Sequence, residues 1–142
     1  MILKHKLQKL TKTTIERLRA DGEPIPLDHR TIAVGNYLII ETSEGNEVKR
    51  FNKPCSYNLG SKELAVAVAK LMRRNAPNDK GIIDQVVDLD CKISSKKFDQ
   101  AVFDRLLKSQ PDRKVILQNK AEQVDVELVN LVNTARNLIK SL

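Results

Sequence analysis

Thr31 to Phe51 reads TIAVGNYLIIETSEGNEVKRF, and this stretch separates an α+β fold from an all-helical one. Thr31 to Ile40 is rich in β-branched side chains, which fit a pleated surface. Asn46 to Phe51 offers a second strand, and Thr42-Ser43-Glu44-Gly45 joins the two as a short hairpin loop. Read as one strand, 31–40 places Ile32, Val34, Leu38 and Ile40 on one face and Ala33, Tyr37 and Ile39 on the other. A strand apolar on both faces is expected to be covered on both sides. Gly35 inside it marks a bulge or a close approach of backbone.

Upstream, Glu23-Pro24-Ile25-Pro26 is extended, because a residue before proline avoids the α region. Before it, residues 2–20 read as a helix with Leu3, Leu7, Leu10, Ile15 and Leu18 on one side and lysines opposite. Asp21-Gly22 stops that helix. Downstream, 52–60 reads as a loop, and Ser61 as the N-cap of a helix to about Asn75. Leu64, Val68, Leu71 and Met72 form its stripe, and Ala65, Ala67 and Ala69 keep it slim. Lys70, Arg73 and Arg74 sit at its C-terminal end, where the helix dipole favours cations. Gly81 then opens 82–93, read as a strand. Ser94 or Ser95 caps a helix to about Ser109, with Phe98, Val102, Phe103, Leu106 and Leu107 inward. Residues 114–117 fit a short strand or the first turn of the closing helix.

That closing helix is the most regular part of the chain. Leu117, Ala121, Val124, Leu128, Leu131, Ala135, Leu138 and Leu142 alternate steps of four and three, the spacing of a helix lying along a partner helix. The expected partner is the Leu3, Leu7 and Leu10 side of the first helix. Val132 and Ile139 widen the stripe and are the expected interface to another copy.

The chain has 142 residues and a net charge of +7, enough for one domain with a core. That domain is expected to comprise a basic helix 1–20, an α+β core 31–116 and the helix 117–142. No apolar run approaches the ~18 residues of a membrane span, so no membrane contact is expected. Cys55 and Cys91 form no CxxC pair, which points to a reducing compartment. Cys55, with no local base, reads as a buried thiol. The charge is concentrated at the front: Lys4, Lys6, Lys9, Lys12, Arg17 and Arg19 face only Glu16 within residues 1–20. Such a segment suits duplex phosphates or an acidic partner. Trp is absent and there are five aromatics in all, so base stacking is not the expected main mode.

One catalytic pattern arises. Asp79, then Asp90-Cys91-Lys92 on a strand, matches the carboxylates and lysine with which restriction-like nucleases hold Mg²⁺ and orient water. Glu47-Val48-Lys49 and Asp112-Arg113-Lys114 match the acidic-x-Lys part equally well, so the pattern carries little specificity. His5 and His29 lack metal-spaced partners, and no glycine-rich nucleotide cradle is present. No catalytic residue, metal or cofactor is assigned.

Val34 to Glu41, Gly45 to Lys49 and Ser61 to Leu71 together resemble a module in small proteins of tailed marine bacteriophages. In that module a β-hairpin is followed by a loop and an Ala-rich helix ending in a basic turn. The likeness spans about residues 32–75 and implies a viral structural or packaging-related protein, placed in an infected cell's cytoplasm or in the virion. The expected fold is therefore α+β, with a small, mainly antiparallel sheet (a hairpin plus one or two strands) and three to four helices, the terminal ones long. The expected function is non-enzymatic: a homo-oligomer, or a partner of neighbouring virion proteins, with a basic face for DNA. A small DNA-packaging subunit is the first alternative and the Mg²⁺-dependent nuclease the second.

Overall fold

The computed structural model describes residues 22–50 and 52–142. The expected helix 2–20, with its six cations and its leucines, lies outside the described residues. The chain falls into two compact units, 1–87 and 88–142.

The first unit holds a five-stranded antiparallel meander in the order β1-β2-β3-β4-β5. Its strands are Ile25–Pro26, Thr31–Val34, Tyr37–Thr42, Gly45–Arg50 and Cys55–Leu59. Each connection is a short turn between adjacent strands, so the chain order repeats as the sheet order. The α+β class is thus present, with more strands than the sequence suggested.

Two corrections account for the extra strands. Residues 31–40 are not one strand. Gly35-Asn36 is a two-residue hairpin turn flanked by the paired Val34 and Tyr37. Gly35 supplies the positive φ, +58°, that such a turn needs. The turn resets the faces: Tyr37 and Ile39 join Ile32 and Val34 on one side, while Leu38 and Ile40 join Ala33 on the other. The expected loop 52–60 is also incorrect in its second half. Asn52 takes a left-handed φ of 62°, Lys53 N–H donates to the Arg50 carbonyl at 3.0 Å, and the chain returns as β5 alongside β4. The hairpin loop at 42–45 forms as expected. Thr42 Oγ1 accepts from Glu44 N–H at 3.2 Å and donates to the Gly45 carbonyl at 3.0 Å.

Helix α1, Lys62–Arg74, crosses one sheet face and touches β2, β3, β4 and β5. Ser61 caps it, its side chain accepting from Leu64 N–H. Asn75 closes it in the left-handed region. Leu64, Val68 and Leu71 bury against Val34, Ile39, Val48 and Leu59, the side chains of alternate positions on that face. Ala65, Ala67 and Ala69 are buried as well, and their small side chains let the helix lie close to the sheet. Each large side chain buried here contributes about 1.5–3 kcal/mol of transfer free energy. Asn46 shares the buried face and donates through Nδ2 to the carbonyls of Leu59 and Gly60, which ties β4 to the entry of α1.

Helix α2 is Asp79–Ser109, one uninterrupted helix. The expected strand 82–93 is therefore wrong, and neither Ser94 nor Ser95 caps anything. The helical stripe is real but partly polar. It runs Asp79, Ile83, Val86, Asp90, Ile93, then Lys96, Gln100, Phe103, Leu107. Steps of four and three alternate except for one three-three step at Ile93–Lys96, a phase shift in the seam. With Asp, Lys and Gln at stripe positions, the apolar residues alone do not trace a helix. Phe98, expected inward, is 69% exposed, because it lies well round the helix from Lys96 and Gln100. Val102, Phe103, Leu106 and Leu107 are half-buried.

In the second unit a 3₁₀ turn, Pro111–Arg113, leads into α3, Lys114–Lys140. Residues 114–117 are thus its first turn. The heptad positions from 117 to 138 form the inner face: Leu117, Val124 and Ala135 are buried, and Ala121, Leu128, Leu131 and Leu138 half-buried, whereas Leu142, the expected last position, lies beyond the helix and is exposed. The part of α2 in this unit runs antiparallel beside α3, as two polar pairs show. Lys96 Nζ reaches Glu127 Oε2, and Gln100 Nε2 donates to Asp125 Oδ1 at 2.6 Å. The ion pair holds Lys96 above and Glu127 below its ordinary pKa, chiefly through their mutual hydrogen bond. The expected packing of this helix on Leu3, Leu7 and Leu10 falls outside the described residues.

Candidate functional site

The two-residue turns of the meander fix what stands at one end of the sheet. Pairing outward from Thr42 and Gly45, the β3–β4 ladder ends with Tyr37 opposite Arg50. Cross-strand partners project on the same face, so a phenol and a guanidinium stand side by side at the exit of β4. The last turn of α1 comes to the same place.

Arg73 is held there by two glycines. A Cβ on Gly22 would lie 2.7 Å from Arg73 Nη1, and one on Gly35 would lie 2.9 Å from Arg73 Cδ. Both glycines have positive φ, +75° and +58°, and both are buried. The Arg73 stem therefore lies across bare backbone, the close approach that a side chain at either position would block. Gly35, Asn36, Tyr37, Arg50, Met72, Arg73 and Asn75 line a cavity of about 650 Å³. Two guanidiniums, two carboxamides and a phenol supply its polar groups. These groups donate to anions and to hydroxyl or base edges, and no nucleophile–base pair is among them.

Next to the cavity is an ion pair. Arg74 Nε and Nη2 donate to Asp79 Oδ2 and Oδ1 at 2.8 and 2.6 Å, and Ala76 N–H donates to Asp79 Oδ2 at 3.2 Å. Asp79 is buried. The Arg74 hydrogen bonds hold its carboxyl below the ordinary value of 3.8, and Arg74 is raised by the same interaction. The fork locks the turn between α1 and α2. Because the folded pKa is depressed, this stabilisation is full above the unfolded value near 3.8 and disappears as pH falls through the folded value. Urea midpoints of the native protein and of Asp79→Ala should therefore differ at pH 7 and converge as the pH falls through the depressed folded pKa of the carboxyl. A gap independent of pH would show that the carboxylate charge is not what stabilises the turn.

The strand expected to carry the nuclease pattern is part of a helix. Asp90 and Lys92 stand two residues apart on a helix, about 200° around its axis, so they do not share a face as on a strand. Lys92 pairs with Asp88 at 3.0 Å, and Asp79 is engaged by Arg74. Among the described residues, no group of three His, Cys, Asp or Glu side chains is placed to hold a metal ion. His29 lies in an exposed turn in which Asp28 Oδ1 accepts from Arg30 N–H at 2.7 Å. Cys55, expected to be buried, is exposed on the edge strand, its thiol donating to the Tyr57 carbonyl at 3.0 Å. Cys91 is exposed too.

The proposed DNA-binding residues Lys4, Lys6, Lys9, Lys12, Arg17 and Arg19 lie outside the described residues. Val132 and Ile139 are half-buried at the border of the α3 inner face. Sequence reading picked out the basic end of α1 but missed Arg50, Tyr37 and Asn36. Gly-Asn between two apolar runs is itself a hairpin signal. Counting back from the 42–45 loop would also have set Arg50 opposite Tyr37. No family model, curated protein or solved structure matches the chain. No described helix is long and apolar enough to cross a membrane.

Proposed function

We propose that the chain is a non-enzymatic, phage-type assembly protein whose basic face engages duplex DNA, as a virion component or small packaging subunit would. One observation carries the reading: exposed cations gather at a single end of the first unit. Arg50 and Lys53 come from the exit of β4, and Lys70 and Arg73 from the last turns of α1. The basic residues 1–20 join the chain just before Gly22, which lies against Arg73. Binding of phosphate oxygens by such a surface releases counterions and gives affinity without sequence preference.

Self-association is the second part of the reading. On the α2–α3 pair, Phe98, Val126 and Val129 are exposed at 57% or more, and Val132 and Ile139 border the buried face. An outward apolar set of this kind suits a second copy or a neighbouring virion protein.

The full chain should shift closed circular and linear duplex alike in a gel at low salt, and leave both uncut with Mg²⁺ present. Changing Lys4, Lys6, Lys9 and Lys12 to Gln should reduce the log–log salt slope by up to ~0.9 for each phosphate no longer neutralised. An unchanged slope would remove residues 1–20 from the interface. Native protein that fails to bind duplex at low salt would sink the DNA reading altogether.

A further inference from the structure

The cavity at the Tyr37–Arg50 end is larger and more varied than phosphate tracking requires. A surface that only follows a duplex backbone needs cations spaced along it. Here an open cleft of about 650 Å³ is bordered by a β-turn, a strand end and a helix end, within the ~300–1,000 Å³ typical of small-molecule sites. Its groups fall into three kinds. Arg50 and Arg73 are fork donors suited to a phosphate. Tyr37, half-buried on β3, offers a ring beside Arg50. Asn36 and Asn75 present carboxamides, which both donate and accept.

The site is also built rigidly. Asn36 is held in a hairpin turn between paired residues. Asn75 is fixed as the left-handed cap, its N–H donating to the Leu71 carbonyl at 3.0 Å. Arg73 is laid along the backbone of Gly22 and Gly35. The negative end of the α1 dipole would oppose an anion, but Arg73 occupies that last turn.

We propose that this cavity binds one nucleoside phosphate unit. The phosphate sits between Arg50 and Arg73, the base lies against Tyr37, and Asn36 and Asn75 hydrogen-bond the sugar or base edge. The inference rests on the nucleic-acid reading and deepens it, sharing Arg50 and Arg73 with the basic end of the first unit. The same chemistry is offered by a free nucleotide or by the phosphorylated end of a strand.

Calorimetric titration of the full chain separates these. Deoxyadenosine monophosphate should bind at least tenfold more tightly than either deoxyadenosine or inorganic phosphate. Arg50→Gln should abolish the preference over deoxyadenosine, and Tyr37→Leu the preference over inorganic phosphate, with both variants retaining the native circular dichroism spectrum. Because Tyr37 also packs on the sheet, Asn75→Gly, which keeps the left-handed cap, is a further probe and should weaken the nucleotide at least threefold. A 5′-phosphorylated single strand binding more tightly than its 5′-hydroxyl counterpart assigns the ligand to strand ends. Equal binding of the two strands, with the mononucleotide preference intact, assigns it to free nucleotide. Equal affinity for the mononucleotide and inorganic phosphate would overturn the proposal. So would native-like binding by Arg50→Gln, or tighter binding of a phosphopeptide than of the nucleotide. Closed circular duplex has no end to offer, so its salt-dependent binding stands or falls separately from these titrations.

Discussion

Ile39→Ala is expected to lower folding free energy by about 2–5 kcal/mol, against the ~5–15 kcal/mol that a domain typically holds. Ile39 is 1% exposed on β3, with Ile32 and Val48 beside it in register and α1 across its face. Truncation removes three carbons from a site whose neighbours are strand and helix backbone, which relax little into the space. Ile40→Ala is the matched control. Ile40 is half-buried on the opposite face, and it should cost clearly less. Urea midpoints measure both. Equal losses would mean that the face under α1 is not the dominant core.

Ala135→Glu should be similarly damaging in the second unit. Ala135 is 3% exposed on the inner face of α3. A carboxylate there is buried without a partner, and uncompensated buried charges cost about 3–5 kcal/mol. Asn133→Glu, two residues away on the exposed side, should stay within ~0.5 kcal/mol. Val132→Lys tests assembly on the same helix. Its position at the border lets a lysine stem reach solvent, so the chain should stay folded while the mass in sedimentation falls. A Val132→Lys variant that unfolds would place Val132 in the core; one that changes neither property would remove this edge from any interface.

The α3 helix was legible because its inner face is written almost wholly in Leu, Val and Ala. The α2 helix was not, although its spacing is nearly as regular. Its stripe positions include Asp79, Asp90, Lys96 and Gln100. Asp79, Lys96 and Gln100 pair with Arg74, Glu127 and Asp125, residues on other helices. A periodicity built from pairings is invisible until the partners are known, so Ile82–Ile93, rich in β-branched residues, passed for a strand. In the sheet, the error came from one dipeptide. Reading Gly35 as a flaw in a strand, and not as a turn, merged β2 with β3 and put Tyr37 in the wrong relation to Val34. β5 was missed because Asn52 to Pro54 resembles the start of a longer loop. The cavity inherits these errors, since the placement of Asn36, Tyr37 and Arg50 follows from the turns.

Gly22, Gly35 and Arg73 are distant in sequence and meet at one point. The arginine keeps its course only while both glycines lack a Cβ, and a side chain at 22 or 35 would turn the guanidinium aside. The dependence runs one way. In a collection of descendants of this sequence, replacement of either glycine is expected to coincide with loss of the arginine, whereas loss of the arginine alone leaves both glycines in place, because their positive φ still excludes other side chains.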